Sequence, residues 1–261
     1  MELPRLPDGT FPEMTDAERR VYFEAVDKAI TSALTVSSDE EAAKIYRAFI
    51  DKYPLAPDTP PMMCRLAVAL ARQEKFDEAR KALESAKLIV GDDRYVNVLD
   101  IHLAHVDMLS GKLDSAQRRL LTVMNKPLPE SFDDPYRFTP QIYGAPLSLA
   151  RLHALRKEPA EAYRVLREMS DRAEAFLRQD QKREWARSYL INGYFRQIVV
   201  MRELEPDQIG RARQLQRELL GRLDGLGVDR AANQVMIDLS DLDQELLKWQ
   251  WALEQPPAVG K

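Results

Sequence analysis

The chain has 261 residues, 45% of them hydrophobic and 31% charged, with a formal charge of −4 and a pI near 5.6. That is enough apolar material for a large core, and too little positive charge for a general nucleic-acid surface, which needs clustered cations against the phosphates. A single cysteine, Cys64, excludes an internal disulfide and suits a reducing compartment.

The first fifteen residues are proline-rich and read as a loose N-terminal segment. Met1-Glu-Leu-Pro-Arg lacks both a basic region and an apolar run. The expectation is a cytoplasmic chain without signal peptide or direct membrane insertion, although an exported domain stripped of its leader would read the same. Thr15-Asp-Ala-Glu18 and Ser38-Asp-Glu-Glu41 have the spacing of reciprocal caps and open the first two helices. Val26, Ala29, Ile30 and Ala33 form one apolar stripe; after Asp39, Ala42, Tyr46 and Phe49 form the next, which Pro54 ends. The second pair has Met63, Leu66, Ala67 and Leu70, a turn at Glu74-Lys75-Phe76, then Ala79, Leu83 and Ala86. The third has Leu103 and Ala104, Gly111 in the turn, then Ala116, Leu120 and Val123. The fourth has Leu149 and Ala150, Lys157 and Pro159 in the turn, then Ala162, Leu166 and Met169. These signals predict helices at about 16–34, 39–53, 60–73, 76–89, 94–110, 113–125, 143–156 and 159–178.

Beyond Arg178 the repeat fades while helicity persists. Trp185, Tyr189, Ile191, Tyr194, Ile198 and Met201 predict a long, heavily buried helix ending near Pro206. Ile209, Ala212, Leu215, Leu219 and Leu223 form a regular stripe, and Val235, Leu239, Leu242, Leu246 and Trp249 another. Residues 179–254 read as capping helices that cover the open end of a stack, or alternatively as a surface for a homodimer. Residues 255–261 read as a flexible tail.

Ala42, Ala79 and Ala116 recur every 37 residues, each in the same kind of helix start, and Ala162 follows after 46. Such a period marks an all-α solenoid of two-helix layers, small residues letting the helices cross closely. At these positions residues 20–175 resemble the tetratricopeptide repeat (TPR) family, whose fold is a right-handed α-α superhelix. The departures are Asp100 and Pro146 at the large position early in the first helix, and Asp39 and Pro159 at the aromatic turn position. The organisation expected is TPR-like hairpins over 16–178, interrupted by an insertion at about 126–142.

The resemblance implies a groove lined by the first helix of each hairpin. Its candidate residues are Asp27, Thr31, Cys64, Val68, Arg72, Ile101, His105, Met108, Leu147, Arg151 and Leu155. The lysine and asparagine cluster with which some co-chaperone members hold a terminal carboxylate is missing, but Arg72 and Arg151 have guanidinium groups suited to one. The insertion combines prolines with Phe132, Tyr136, Phe138 and Tyr143. These rings either fold back as a satellite core or contact a partner.

The function expected is a non-enzymatic scaffold or adaptor that binds a peptide or helix of an unidentified protein, without cofactor, metal or nucleic acid. Structural homo-oligomerisation through the C-terminal helices is the alternative. An enzyme is the remote one: His102 and His105, three apart, share a helical face, and Asp100 and Asp107 are near in sequence, but metal chemistry needs more ligands in convergence. His153 reads as a packing residue. Glycine-rich phosphate loops, nucleophile elbows and paired-histidine protease motifs are missing from the sequence.

Overall fold

A computed structural model of the chain describes residues 15–90, 93–128, 132 and 138–254. Eleven α-helices run through the described residues: α1 Asp16–Thr35, α2 Asp39–Lys52, α3 Thr59–Arg72, α4 Phe76–Val90, α5 Asp93–Leu109, α6 Leu113–Met124, α7 Ala145–Leu155, α8 Pro159–Gln179, α9 Glu184–Leu204, α10 Ile209–Gly225 and α11 Asn233–Glu254. A π-helical turn, Pro140–Gly144, leads into α7. The first eight helices fall within two residues of the bounds predicted from sequence. At Thr15 the reciprocal cap forms in full: the Glu18 amide donates to Thr15 Oγ1 at 3.3 Å, and the Thr15 amide donates to Glu18 Oε2 at 2.9 Å. At Ser38 the side chain accepts the Glu41 amide at 3.2 Å.

Packing divides the described residues into two compact units, one up to residue 140 and one from residue 141 onward. In the first, α2 packs between α1 and α3, and α3 also touches α4 and α5; α5 in turn carries α4 and α6. First helices of successive hairpins touch at α3 and α5. In the second unit α7 pairs with α8 and α9 with α10, while α9 also meets α7, α8 and α11. The hairpin layering thus continues past residue 178, where the sequence repeat fades.

One position recurs through both units. The fourth residue of α2, α4, α6, α8 and α10 is an alanine: Ala42, Ala79, Ala116, Ala162 and Ala212. Ala42 is 8% exposed and the other four are 0% exposed. Each donates its amide to the carbonyl of the residue just before its helix, at 3.0–3.1 Å, closing the first turn. Four turns are built alike as well. Glu74, Gly111, Lys157 and Gly227 have φ of 63°, 75°, 59° and 64°. The next residue's amide reaches back five residues in each case, for example Lys75 to the Leu70 carbonyl at 3.0 Å and Glu158 to His153 at 2.9 Å. This is the Schellman closure, which needs one left-handed residue.

Within the second unit, Gly193 is where α9 crosses α8. A methyl group there would overlap Ser170 Oγ and lie 3.2 Å from Ser170 Cβ and 3.3 Å from the Leu166 carbonyl oxygen. Glycine in mid-helix costs backbone entropy, and the close crossing is what it permits. The last helix is tied by Trp249, whose indole N–H donates to the Pro206 carbonyl at 3.0 Å.

In the first unit, one face of α5 is a buried charge ladder. Asp107 accepts from Arg80 Nε at 3.0 Å, Ser115 Oγ at 2.7 Å and Arg119 Nε at 3.2 Å. Lys87 pairs with Asp100 at 2.7 Å, and Lys126 donates to Asn97 at 2.7 Å. Burial alone would raise the Asp107 carboxyl. The bonds from Ser115, Arg80 and Arg119 outweigh it and hold the group below its usual 3.8.

Two outcomes are expected. Glu74→Gly and Lys157→Gly should each stabilise the chain by about 0.5–1 kcal/mol, since L-residues are strained at positive φ, whereas Gly111→Ala should cost a similar amount; urea unfolding measures all three. Asp107→Asn should cost about 1–3 kcal/mol at neutral pH, because Arg80 and Arg119 keep partial access to water. Because the folded-state carboxyl lies below 3.8, its contribution is complete above that pH and is lost as pH falls through the lower folded value. The gap between parent and variant should therefore close in acid titrations below about pH 4.

Candidate partner-binding surface

With Asp100 and Asp107 engaged by α4 and α6, α5 presents a second face. Tyr95, Val98, His102, His105 and Leu109 follow one another at helical spacing there, partly or fully accessible. The matching strip on α3 is Arg65, Val68 and Arg72. The two strips adjoin. The His102 imidazole is held below its usual value first by burial and then by the nearby Arg65 guanidinium. The Cys64 thiol is pushed up to about 12 by burial, against the opposing effects of a hydrogen bond with Tyr95 and the charge of Arg65. Cys64 is therefore a packed thiol and not a nucleophile. His102 Nδ1 is buried with no hydrogen-bond partner among the described residues.

The residues selected from sequence divide by exposure. Asp27 and Thr31 are exposed on α1. Val68 and His105 are half-buried on the strips just described. Arg72 is exposed and forms an ion pair with Asp39 at 3.4 Å. Cys64, Ile101 and Met108 are buried in the packed layer, each one residue before an accessible position: Arg65, His102 and Leu109. One residue is a rotation of about 100° on a helix. The structure thus brings Val68, Arg72 and His105 to one surface and leaves Cys64, Ile101 and Met108 beneath it.

The second unit has its own accessible strip. Leu147 is half-buried, and Arg151 and Leu155 are exposed on α7. Trp185, Tyr189, Asn192 and Arg196 share one half-buried face of α9. Tyr143 stacks on Tyr189, with ring centroids 4.4 Å apart and planes at 16°. Its phenol is raised by burial, with the Arg196 charge opposing and Asp238 reinforcing that shift. The Arg196 guanidinium lies 5.4 Å from the Phe195 ring centroid. Sequence reading passed over Asn192 and Arg196 because Ile191, Tyr194, Ile198 and Met201 make α9 apolar on most sides. The spacing of Trp185, Tyr189, Asn192 and Arg196 was the available signal.

Of the insertion rings, Phe138 is buried, and Phe132 meets it edge-on at 5.2 Å. Tyr136 lies outside the described residues. The ligands considered for a metal do not converge. His102 and His105 are 6.0 Å apart with perpendicular rings, on the face of α5 away from Asp100 and Asp107. Among the described residues there is no group of three histidine, cysteine or acidic side chains able to hold a metal ion. His153 is buried, with Nδ1 2.7 Å from Glu158 Oε2. No described helix is long and apolar enough to cross a membrane.

Comparison with known proteins bears on the fold. No family model matches the chain, and no curated protein matches it. A crystal structure of nearly identical TPR-like repeats from Podosopora anserina, named for a kinesin light chain and carrying one substitution, is similar over 81% of this chain and 97% of its own. The identity is 14% and the TM-score 0.50. A second crystal structure of those repeats covers 83% of this chain and 97% of its own, at 14% identity and a TM-score of 0.47. The fold is therefore similar to TPR-like repeats, as the evenly spaced alanines implied.

Proposed function

We propose that the chain is a non-enzymatic scaffold or adaptor that binds a peptide or helix of a partner protein on the accessible strips of its first helices, in the assembly of a complex. The observation that carries this reading is the adjoining pair on α3 and α5: Arg65, Val68 and Arg72 beside His102, His105 and Leu109. Guanidinium groups there offer forked donors to carboxylates, and Val68 and Leu109 offer apolar contacts between them. Helices hold all six, so little ordering is needed when a ligand arrives. The complementary ligand is an extended or helical segment with acidic residues flanking one or two apolar anchors. Asp27 and Thr31 on α1, and Leu147, Arg151, Leu155 and Tyr143 in the second unit, are further contact candidates. A buried, unpaired Cys64 suits the reducing cytoplasm as the place of action.

Selection of a displayed random-peptide library on the full chain tests this. Enriched peptides should carry Asp or Glu beside apolar residues and bind with a Kd of about 1–100 µM, as expected for exposed charge pairs. Arg65→Glu combined with Arg72→Glu should weaken them at least about tenfold with unchanged thermal melting. Lys81→Glu, on the exposed face of α4, should leave binding as it was. Enriched peptides that bind all three proteins equally, or no enrichment at all, would refute the proposal.

A further inference from the structure

Arg196 carries a charge that the fold leaves unanswered. It is half-buried on α9, its Nε–H is buried without an acceptor, and among the described residues its guanidinium has neither an ion pair nor a hydrogen bond. A guanidinium withdrawn from water without a counter-charge costs free energy, which an arriving anion offsets. Two further donors stand beside it. Asn192 is four residues earlier on the same half-buried face, about 6 Å along the axis, and its amide is also without a hydrogen bond among the described residues. The Tyr143 hydroxyl is likewise unbonded there, and the Arg196 charge acts on it. Its ring is held against α9 by the stack on Tyr189, one turn before Asn192. The acid that acts on Tyr143 from α11, Asp238, is engaged elsewhere: it accepts from Ser188 at 3.2 Å and from Gln234 at 2.8 Å.

We propose that Arg196, Asn192 and Tyr143 form a second peptide site, which takes a single Asp or Glu side chain of a partner segment. Arg196 and Asn192 donate to the two carboxylate oxygens, and the Tyr143 hydroxyl adds a third bond. The charge balance selects among acids. One guanidinium and one carboxylate, Asp238, both act on Tyr143, so a monoanion is neutralised whereas a phosphate dianion brings surplus charge into the Asp238 field. The depth of the donors selects further. Because Asn192 and Arg196 are half-buried, an acid carried at the end of a side chain reaches them more readily than one at a chain terminus. This site rests on the adaptor reading for its class of ligand, a peptide, and uses none of the α3 and α5 residues. With one guanidinium against two, its peptides are the weaker set and emerge once the α3 strip is disabled.

The test is selection of a multivalently displayed peptide library on the full chain carrying Arg65→Glu and Arg72→Glu, each peptide fused at its C-terminus so that no terminal carboxylate is offered. Enriched peptides should share one Asp or Glu and bind with a Kd of about 100 µM. Exchanging that acid for Gln should weaken them at least about fivefold, and exchanging it for phosphoserine should not tighten them. Adding Arg196→Gln should weaken them at least about fivefold while the chain melts no lower, since an uncompensated half-buried charge is removed. Asn192→Asp supplies the missing carboxylate one turn before Arg196; it should melt no lower and lose the same peptides. No enrichment would overturn the proposal, as would tighter binding of the phosphoserine form or of the acid moved to a free C-terminus. So would peptides that bind Arg196→Gln or Asn192→Asp undiminished, and lower melting of both variants, which would mean that the fold already compensates Arg196. The adaptor reading on α3 and α5 fails separately, because its peptides depend on Arg65 and Arg72, both already replaced here.

Discussion

The close crossing at the fourth residue of each second helix is the constraint on which the remaining packing depends. At that position the amide has just closed the first helical turn, so the backbone is rigid and cannot yield to a larger side chain. Alanine places a single methyl group in the seam and lets helix axes come to about 8–10 Å. A bulkier residue would hold the helices apart and strip contacts from both neighbours, an overpacking penalty of about 1–3 kcal/mol at each layer. Gly193 answers the same demand in a first helix, where α9 presses on Ser170 and even a methyl group has no room. Local stiffness and small size are needed together.

That packing leaves the two kinds of helix with different amounts of free surface. Second helices such as α4 and α6 bury one apolar face and expose charged residues over the rest. First helices have neighbours on more sides: α5 meets α3, α4 and α6, and α9 meets α7, α8, α10 and α11. Only a narrow strip of each stays accessible. On α5 the ladder of Asp100 and Asp107 further removes acidic groups from the surface by binding them to Lys87, Arg80 and Arg119. What remains at the adjoining α3 and α5 strips is cationic, although the chain as a whole carries −4. Internal neutralisation thus shapes what a ligand would meet outside.

Helix existence and bounds were legible in the sequence because capping residues, turn residues and apolar period agreed with one another. The fifth hairpin was not legible as a repeat. Ala212 has the same burial and amide bond as Ala79, yet it follows Ala162 by 50 residues because α8 and α9 are each 21 residues long. A search for a constant period passes over it, whereas a search for alanine four residues into a helix finds it. The accessible strips were legible only in part. On α3, apolar residues from Met62 to Ala71 cover most of the circumference, so the pattern does not fix its rotation. Cys64 and Arg65 were equally eligible until the neighbouring helices were in place. The aromatic content of the insertion singled out Tyr143 but not its stacking partner Tyr189, which is 46 residues away.

Where side chains must satisfy several neighbours at once, composition is set by packing, and little freedom is left for recognition. The strips are free of that demand, and there the two units differ. In the first unit the strip pairs Arg65 and Arg72 with imidazoles and short apolar groups. In the second, Tyr143, Trp185 and Tyr189 present ring faces and edges beside Asn192 and Arg196. Rings favour apolar and cationic groups at their faces, whereas guanidinium forks favour carboxylates. Hairpins of the same construction therefore present different chemistry in each unit, cationic and imidazole-bearing in the first and aromatic in the second.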